Sequence, residues 1–184
     1  RARLPRDYLG ASIMGEECAR RLAYEWHKTP VDGGYATPGK NIRVMDIGTD
    51  SEARMAAYLR TAGFQLVTER QDGSPGQIGF SVLDGKIRGH LDGVLIGGPH
   101  QLTTSDGARS WPLRYPCVWE NKALGGKSWR DLASKGCERS KPVYFVQMQI
   151  DMAYLDLATN PALLTALNRD TGEIYAELIG WRAD

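Results

Sequence analysis

The chain has 184 residues, a formal net charge of +1, 42% hydrophobic and 24% charged residues, values that exclude a disordered polyelectrolyte and name no partner by charge alone. A chain of this length buries about 70% of its unfolded surface, so one domain over residues 1–184 is expected, without a disulfide scaffold. No apolar run approaches the ~18 residues of a membrane span, and the opening RARLPRDYLG lacks the apolar stretch of a signal peptide.

In chain order, Ser12 can cap a helix running to about His27, SIMGEECARRLAYEWH, whose Ile13, Cys18, Leu22 and Trp26 predict packing on the core. Lys28 to Asn41 is dense in Gly and Pro and reads as a long loop. A second helix is expected over about Met45 to Ala62, ended by Gly63. FQLVTER, QIGFSVLDG and KIRGHLDGVLIGG are rich in strand formers and predict an antiparallel meander. Pro99 to Pro116 breaks that pattern, and YPCVWENKA resumes it as a strand.

Lys127 to about Ser134 predicts a short helix, and Pro142 suits the first turn of a longer one, KPVYFVQMQIDMAYLDLA, with an apolar stripe of Val146, Ile150, Ala153 and Leu157. The tail ALLTALNRDTGEIYAELIGW reads as a hairpin added to the same sheet. The expected class is α/β, a central mixed sheet flanked by helices.

Residues two apart on a strand share a side, so in CVWENKA Glu120 and Lys122 point together with Val118, while Cys117, Trp119 and Asn121 face the other way. Such a pair is also what an exposed cross-strand ion pair looks like. Asp92 lies in a glycine-flanked strand run where Asp has low propensity, although LDG is equally a turn signal. Glu52 shares a helical stripe with Met55, Ala56 and Leu59. Gathering such carboxylates is unfavourable unless a cation neutralises them. Oxygen-only ligands suit Mg²⁺ or Mn²⁺ and leave room for a phosphate oxygen. Lys122 can then position or deprotonate an attacking water, or hold the phosphate. Metal-assisted phosphodiester hydrolysis is the chemistry suggested.

On the long helix, Gln147, Asp151 and Tyr154 fall at offsets of four and seven, on a polar stripe that suits either the same cleft or a solvated edge. Lys122 to Lys141 holds six basic residues, Lys122, Lys127, Arg130, Lys135, Arg139 and Lys141, against Asp131 and Glu138. That excess, extended by Arg20 and Arg21, suits phosphate contacts, with Trp129 or Tyr144 available for base stacking.

Together these residues resemble the PD-(D/E)xK nuclease superfamily, in its RecB-like and phage exonuclease branch of lambda and YqaJ type, over roughly residues 8 to 158. GTDSE is similar to that branch's helical first motif with Glu52, GHLDG to the second with Asp92, WENK to the third with Glu120 and Lys122, and YFVQMQIDMAYL to the Gln and Tyr helix that follows. The resemblance implies a restriction-endonuclease-like core, one or two Mg²⁺ or Mn²⁺ ions, and DNA as substrate. It implies that Asp92, Glu120 and the backbone carbonyl of Asn121 hold metal, with Glu52 a further ligand, and that Lys122 is the catalytic lysine, assisted by Gln147 and Tyr154. Gln149 competes with Gln147 for the glutamine role.

EECARRLAYEW also resembles a segment carrying a cluster cysteine in related nucleases. Those use four cysteines against three here, Cys18, Cys117 and Cys137, so no iron-sulfur cluster is expected and free thiols in a reducing compartment are. The leading expectation is a phage-type DNA exonuclease of recombination, replication or repair. The alternatives are a structure-specific or other endonuclease of the same superfamily and an inactive DNA-binding or assembly module. The setting is cytoplasmic, the host cytoplasm for a phage protein. A single-strand annealing or replication protein and a homo-oligomer are further candidate partners.

Overall fold

A computed structural model describes residues 6–30, 32 and 38–182. Its frame is a five-stranded sheet in the order β10 (Ile174–Ile179), β9 (Ala162–Asn168), β8 (Cys117–Leu124), β5 (Gly93–Gly97), β2 (Gln65–Val67). β8 and β9 run parallel and the other neighbours antiparallel, so the sheet is mixed. The predicted tail hairpin is present as β9 and β10, added at the edge of that sheet.

Alternation along β8 divides the core between two layers. Val118 and Leu124 enter a cluster with Leu132, Met148, Met152 and Leu164, beneath α3 (Gly126–Lys135) and α5 (Pro142–Tyr154). Cys117 and Trp119 enter the opposite cluster with Met55, Ala56 and Leu59 of α2 (Gly39–Thr61). The helix-flanked mixed sheet expected from the sequence is thus the observed fold.

Several local expectations are corrected. The predicted meander divides between two sheets, because the run from Ile87 to Gly97 breaks at Leu91 and Asp92. β4 (Ile87–His90) joins a separate sheet in the order β1-β4-β3, with β1 (Leu9–Gly10) parallel and β3 (Gly79–Val82) antiparallel to it, while β5 enters the main sheet. Pro99 to Pro116 contains a hairpin of its own, β6 (Gln101–Thr103) with β7 (Ser110–Pro112).

The first helix is not continuous. A 3-10 turn over Ala11–Ile13 leads to Gly15, where a Cβ would stand 2.7 Å from the Val143 Cα and 2.9 Å from Val146, so the chain there lies against α5 as a turn. Only Ala19–Trp26 forms α1, and none of its residues is buried, so it does not pack on the core. α2 begins at Gly39, inside the stretch assigned to a loop; residues 31 and 33–37 of that stretch lie outside the described residues.

On α5 the buried apolar positions are Met148 and Met152 rather than Val146, Ile150 and Ala153. The helix is apolar on more than one side, and its second apolar side meets the segment around Gly15. It ends at Tyr154, before Leu157. Among the described residues, no helix is long and apolar enough to cross a membrane.

Candidate active site

Five predicted residues line one polar cleft of about 320 Å³: Glu52, Asp92, Glu120, Lys122 and Gln147. They arrive from four places in the fold. Glu52 lies on α2, Asp92 in the bend just before β5, Glu120 and Lys122 on β8, and Gln147 on α5.

The break that divides the strand run is what orients Asp92. Pairing of β5 with β8 runs from Leu95 opposite Cys117 to Gly93 opposite Trp119. Just beyond, the Asn121 backbone N–H donates to Asp92 Oδ2 at 2.7 Å, a side chain taking the place of a ladder carbonyl. The Asn121 side chain is held on the other face. Its Oδ1 accepts from the Thr165 hydroxyl at 3.0 Å, which in turn accepts from Trp119 Nε1 at 2.9 Å. A bond from Asn121 Nδ2 to the Ser51 hydroxyl at 3.4 Å ties β8 to the turn of α2 that carries Glu52. This buried network fixes the strand on which Glu120 and Lys122 sit.

Glu120 is 1% exposed. Its Oε1 accepts from Gln147 Nε2 at 2.9 Å and from the Lys122 ammonium, while its Oε2 has no partner among the described residues. Gln147 Oε1 in turn lies 3.5 Å from Lys122 Nζ. The Lys122 ammonium also stands 5.0 Å from the Tyr144 ring centroid, within cation–π range. Glu52 accepts from Gln77 Nε2 at 3.4 Å.

The charges of the cleft act on one another. Burial and then the Glu120 carboxylate push Asp92 well above the ordinary carboxylate range, with Lys122 and the Asn121 N–H only partly offsetting them. Burial and Glu120 raise Glu52 as well. Burial by itself would lower the Lys122 ammonium, but Glu120 and Asp92 outweigh it and hold the amine protonated above its usual range. Among the described residues, no three His, Cys, Asp or Glu side chains are grouped as a ready-made metal cage. Lys122 lies against Glu120 instead, as the neutralising cation. The donor set is nonetheless all oxygen, and the unpartnered Glu120 Oε2 and the raised Asp92 mark a place short of positive charge, as a hard divalent ion requires.

Two other residues of the long helix part company with Gln147. Gln149 bonds the Gly180 carbonyl and the Arg182 N–H, so it is engaged by the C-terminal segment and not by the cleft. Tyr154 is 51% exposed and stacks on Phe80 with ring centroids 4.7 Å apart, and it does not line the cleft. An offset of seven keeps a side chain near one stripe only while a straight helix faces a flat surface; here Tyr154 ends α5 beside β3.

The sequence reading misses the opposite wall. Arg6, Ser12, Gln77, Arg88 and His90 complete the cleft from β4 and the segments beside β1 and β3. Arg88 and His90, two apart on one strand, are the available signal; the parallel pairing of β1 with β4 that brings Arg6 and Ser12 alongside leaves no local trace.

The predicted phosphate contacts fall into separate groups. Lys127, Arg130 and Lys141 line an open groove along α3, together with Asp131. Asp131 also pairs Lys135 at 2.6 Å and Lys141 at 3.4 Å, which reduces the free charge there. Arg139 is exposed on α4 (Cys137–Ser140). Arg20 and Arg21 are exposed on α1, and Arg21 pairs with Glu16. Trp129 is not a stacking platform: it packs against the core and donates Nε1–H to the Ala166 carbonyl at 2.9 Å. Cys18 is exposed, Cys117 and Cys137 are buried, and all three are free thiols.

No family model matches the chain, and no curated protein does. Solved structures do. An alkaline exonuclease from Laribacter hongkongensis aligns with a TM-score of 0.56 and 14% identity, over 96% of this chain and 78% of that one. The same enzyme in complex with dAMP aligns with a TM-score of 0.53 and 14% identity, over the same shares. A protein designated SSO0001 aligns with a TM-score of 0.51 and 16% identity, over 99% of this chain and 71% of that one. With its central mixed sheet and flanking helices, the chain shares the fold of these solved structures, which is consistent with the PD-(D/E)xK nuclease fold that its motifs resemble.

Proposed function

We propose that the chain is a divalent-metal-dependent deoxyribonuclease, a single nuclease domain over residues 1–184, that hydrolyses phosphodiester bonds from a DNA end. The observation that carries this reading is the convergence of Glu52, Asp92, Glu120, Lys122 and Gln147 on one cleft from four separate elements. A surface salt bridge on a strand needs no such company, and Glu120 is buried, which disposes of the exposed-pair alternative.

Asp92, Glu120 and the Asn121 carbonyl would hold a Mg²⁺ or Mn²⁺ ion, with Glu52 beside them; when bound, such an ion neutralises the carboxylates and the phosphate they face. Lys122, held protonated by its neighbours, is suited to grip a phosphate oxygen or orient a water rather than to accept a proton. Gln147 keeps Lys122 and Glu120 at a fixed separation through its two ends. The groove along α3 would guide the DNA backbone, with Lys127, Arg130 and Lys141 as its cations.

An exonuclease is preferred because the solved structure sharing this fold at 96% coverage is named an alkaline exonuclease. A phage-type role in recombination, replication or repair fits that activity. The test is digestion of 5′- and 3′-labelled linear DNA and covalently closed circular DNA with Mg²⁺, Mn²⁺ and a chelator. Metal-dependent loss of linear DNA with circular DNA intact is expected. Cutting of the circle identifies an endonuclease, and binding without cleavage identifies an inactive DNA-binding module.

A further inference from the structure

One face of α5 turns two side chains toward Lys122. Gln147 brings its amide oxygen to 3.5 Å from the ammonium. Tyr144, three residues earlier and so on the same helix face, places its ring under the ammonium with the centroid 5.0 Å away. Glu120 supplies the third contact, an ion pair. The Tyr144 ring is itself held, packed against the core cluster that includes Val118, Leu132 and Met148.

These contacts differ in what they depend on. A lysine carries a compact charge on a flexible four-carbon stem, so its direction is set by whatever holds the ammonium. Glu120 is also the carboxylate proposed to hold a divalent ion, and its charge would then be divided between that ion and Lys122. Gln147 reaches Lys122 only at the limit of hydrogen-bond distance, and its other end donates to the same Glu120. Both polar contacts therefore run through one carboxylate. The Tyr144 ring does not: an aromatic face attracts a cation through its quadrupole and carries no net charge for an ion to neutralise.

Base stacking is the competing use of this ring. Its face toward Lys122 is closed to a base, and Tyr144 lines neither the cleft nor the groove along α3.

We infer that Tyr144 is a positioning residue for the cleavage reaction, its ring face keeping the Lys122 ammonium in place while Glu120 serves an ion. This rests on the nuclease reading. Tyr144 touches no DNA in this role and acts through Lys122 alone.

The experiment compares Tyr144→Phe, Tyr144→difluorophenylalanine, Tyr144→trifluorophenylalanine and Tyr144→Leu. Fluorine withdraws the negative charge of the ring face while nearly keeping its shape, so packing is held and only the attraction for a cation falls. Tyr144→Phe is expected to hold kcat within about two-fold, because the ring face is kept. The fluorinated variants are expected to lower kcat in order of fluorine number, and Tyr144→Leu to lower it ~5- to 30-fold, with KM little changed throughout. Equal kcat in Tyr144→Phe and Tyr144→trifluorophenylalanine, a loss in Tyr144→Phe as deep as in Tyr144→Leu, or a change confined to KM, as base stacking requires, would each overturn the inference. Should Tyr144→Leu fail to fold, the fluorinated series decides by the same criterion.

A second readout does not depend on activity. The ε-CH₂ protons of Lys122 are expected to be shifted upfield by the ring in the NMR spectrum of the wild type, with and without Mg²⁺. They are expected to stay shifted in Tyr144→Phe and to return to ordinary lysine values in Tyr144→Leu. Unshifted protons in the wild type, or a shift lost on adding Mg²⁺, refute the inference. An inactive wild type with the expected shift would sink the nuclease reading and leave the contact standing.

Discussion

The Asn121 N–H donates to Asp92 Oδ2 at 2.7 Å, so the carboxyl of one strand end completes the hydrogen bonding of the strand beside it. This bond fixes Asp92 next to Glu120, and both lie at the point where β5 and β8 cease to pair. The strand bearing Glu120 and Lys122 and the bend bearing Asp92 are therefore placed by backbone pairing and by this one side-chain hydrogen bond.

That arrangement predicts how the protein responds to metal. Mg²⁺ or Mn²⁺ binding to the folded state raises stability by about 2.7 kcal/mol at a hundredfold excess over Kd, seen as a rise in melting temperature. Asp92→Asn is expected to abolish both that rise and the binding heat in calorimetry. It is also expected to melt higher than the wild type without metal, since a carboxyl pushed up by burial is removed. An undiminished metal response in Asp92→Asn contradicts the assignment.

Metal affinity should also depend on pH. Asp92 and Glu52 are both raised and must lose their protons to act as ligands, so affinity strengthens as pH rises through their raised values. Calorimetric titrations at pH 5.5 and 8 check the direction. Equal affinities at the two pH values contradict it.

Asp151 sets a second pH dependence, this one of the metal-free fold. Burial and the Glu120 charge push its carboxyl from 3.8 up to about 8. Between those values the folded state holds a proton that the unfolded state has released, so stability falls as pH rises from about 4 to about 8. Asp151→Asn is expected to flatten that slope, with its advantage over the wild type growing across the interval and vanishing below about pH 4. Parallel denaturation curves across the interval would show that Asp151 is not so placed.

How much of this is legible in the sequence depends on the range of the interactions. Glu120 and Lys122 can be paired because strand alternation is local, and Met55, Ala56 and Leu59 because a helical stripe is. Asp92 is ambiguous between strand and turn because strand-forming apolar residues lie on both sides of the bend, and nothing in the pattern records that the chain changes sheets there. The stripe of α5 misleads since Val146 with Ile150 and Met148 with Met152 are both apolar rows. Only the packing of the Gly15 segment against one of them decides which faces the sheet. The wall of Arg6, Ser12, Arg88 and His90 depends on a parallel pairing between residues nearly eighty apart.

DNA affinity should depend on the α3 groove. Lys127→Ala with Arg130→Ala is expected to weaken binding across sequences alike and to reduce the slope of log K against log salt by about 0.9 for each phosphate that the variant no longer neutralises. An unchanged slope removes the groove from the DNA path.

The most direct test is cleavage of end-labelled linear DNA in Mg²⁺ by the wild type and by Lys122→Ala. The account predicts metal-dependent cleavage by the wild type and none by Lys122→Ala, with the variant's circular dichroism and DNA binding retained. A folded Lys122→Ala protein that cuts as the wild type does, or a wild type that leaves both duplex and single strands intact, contradicts it.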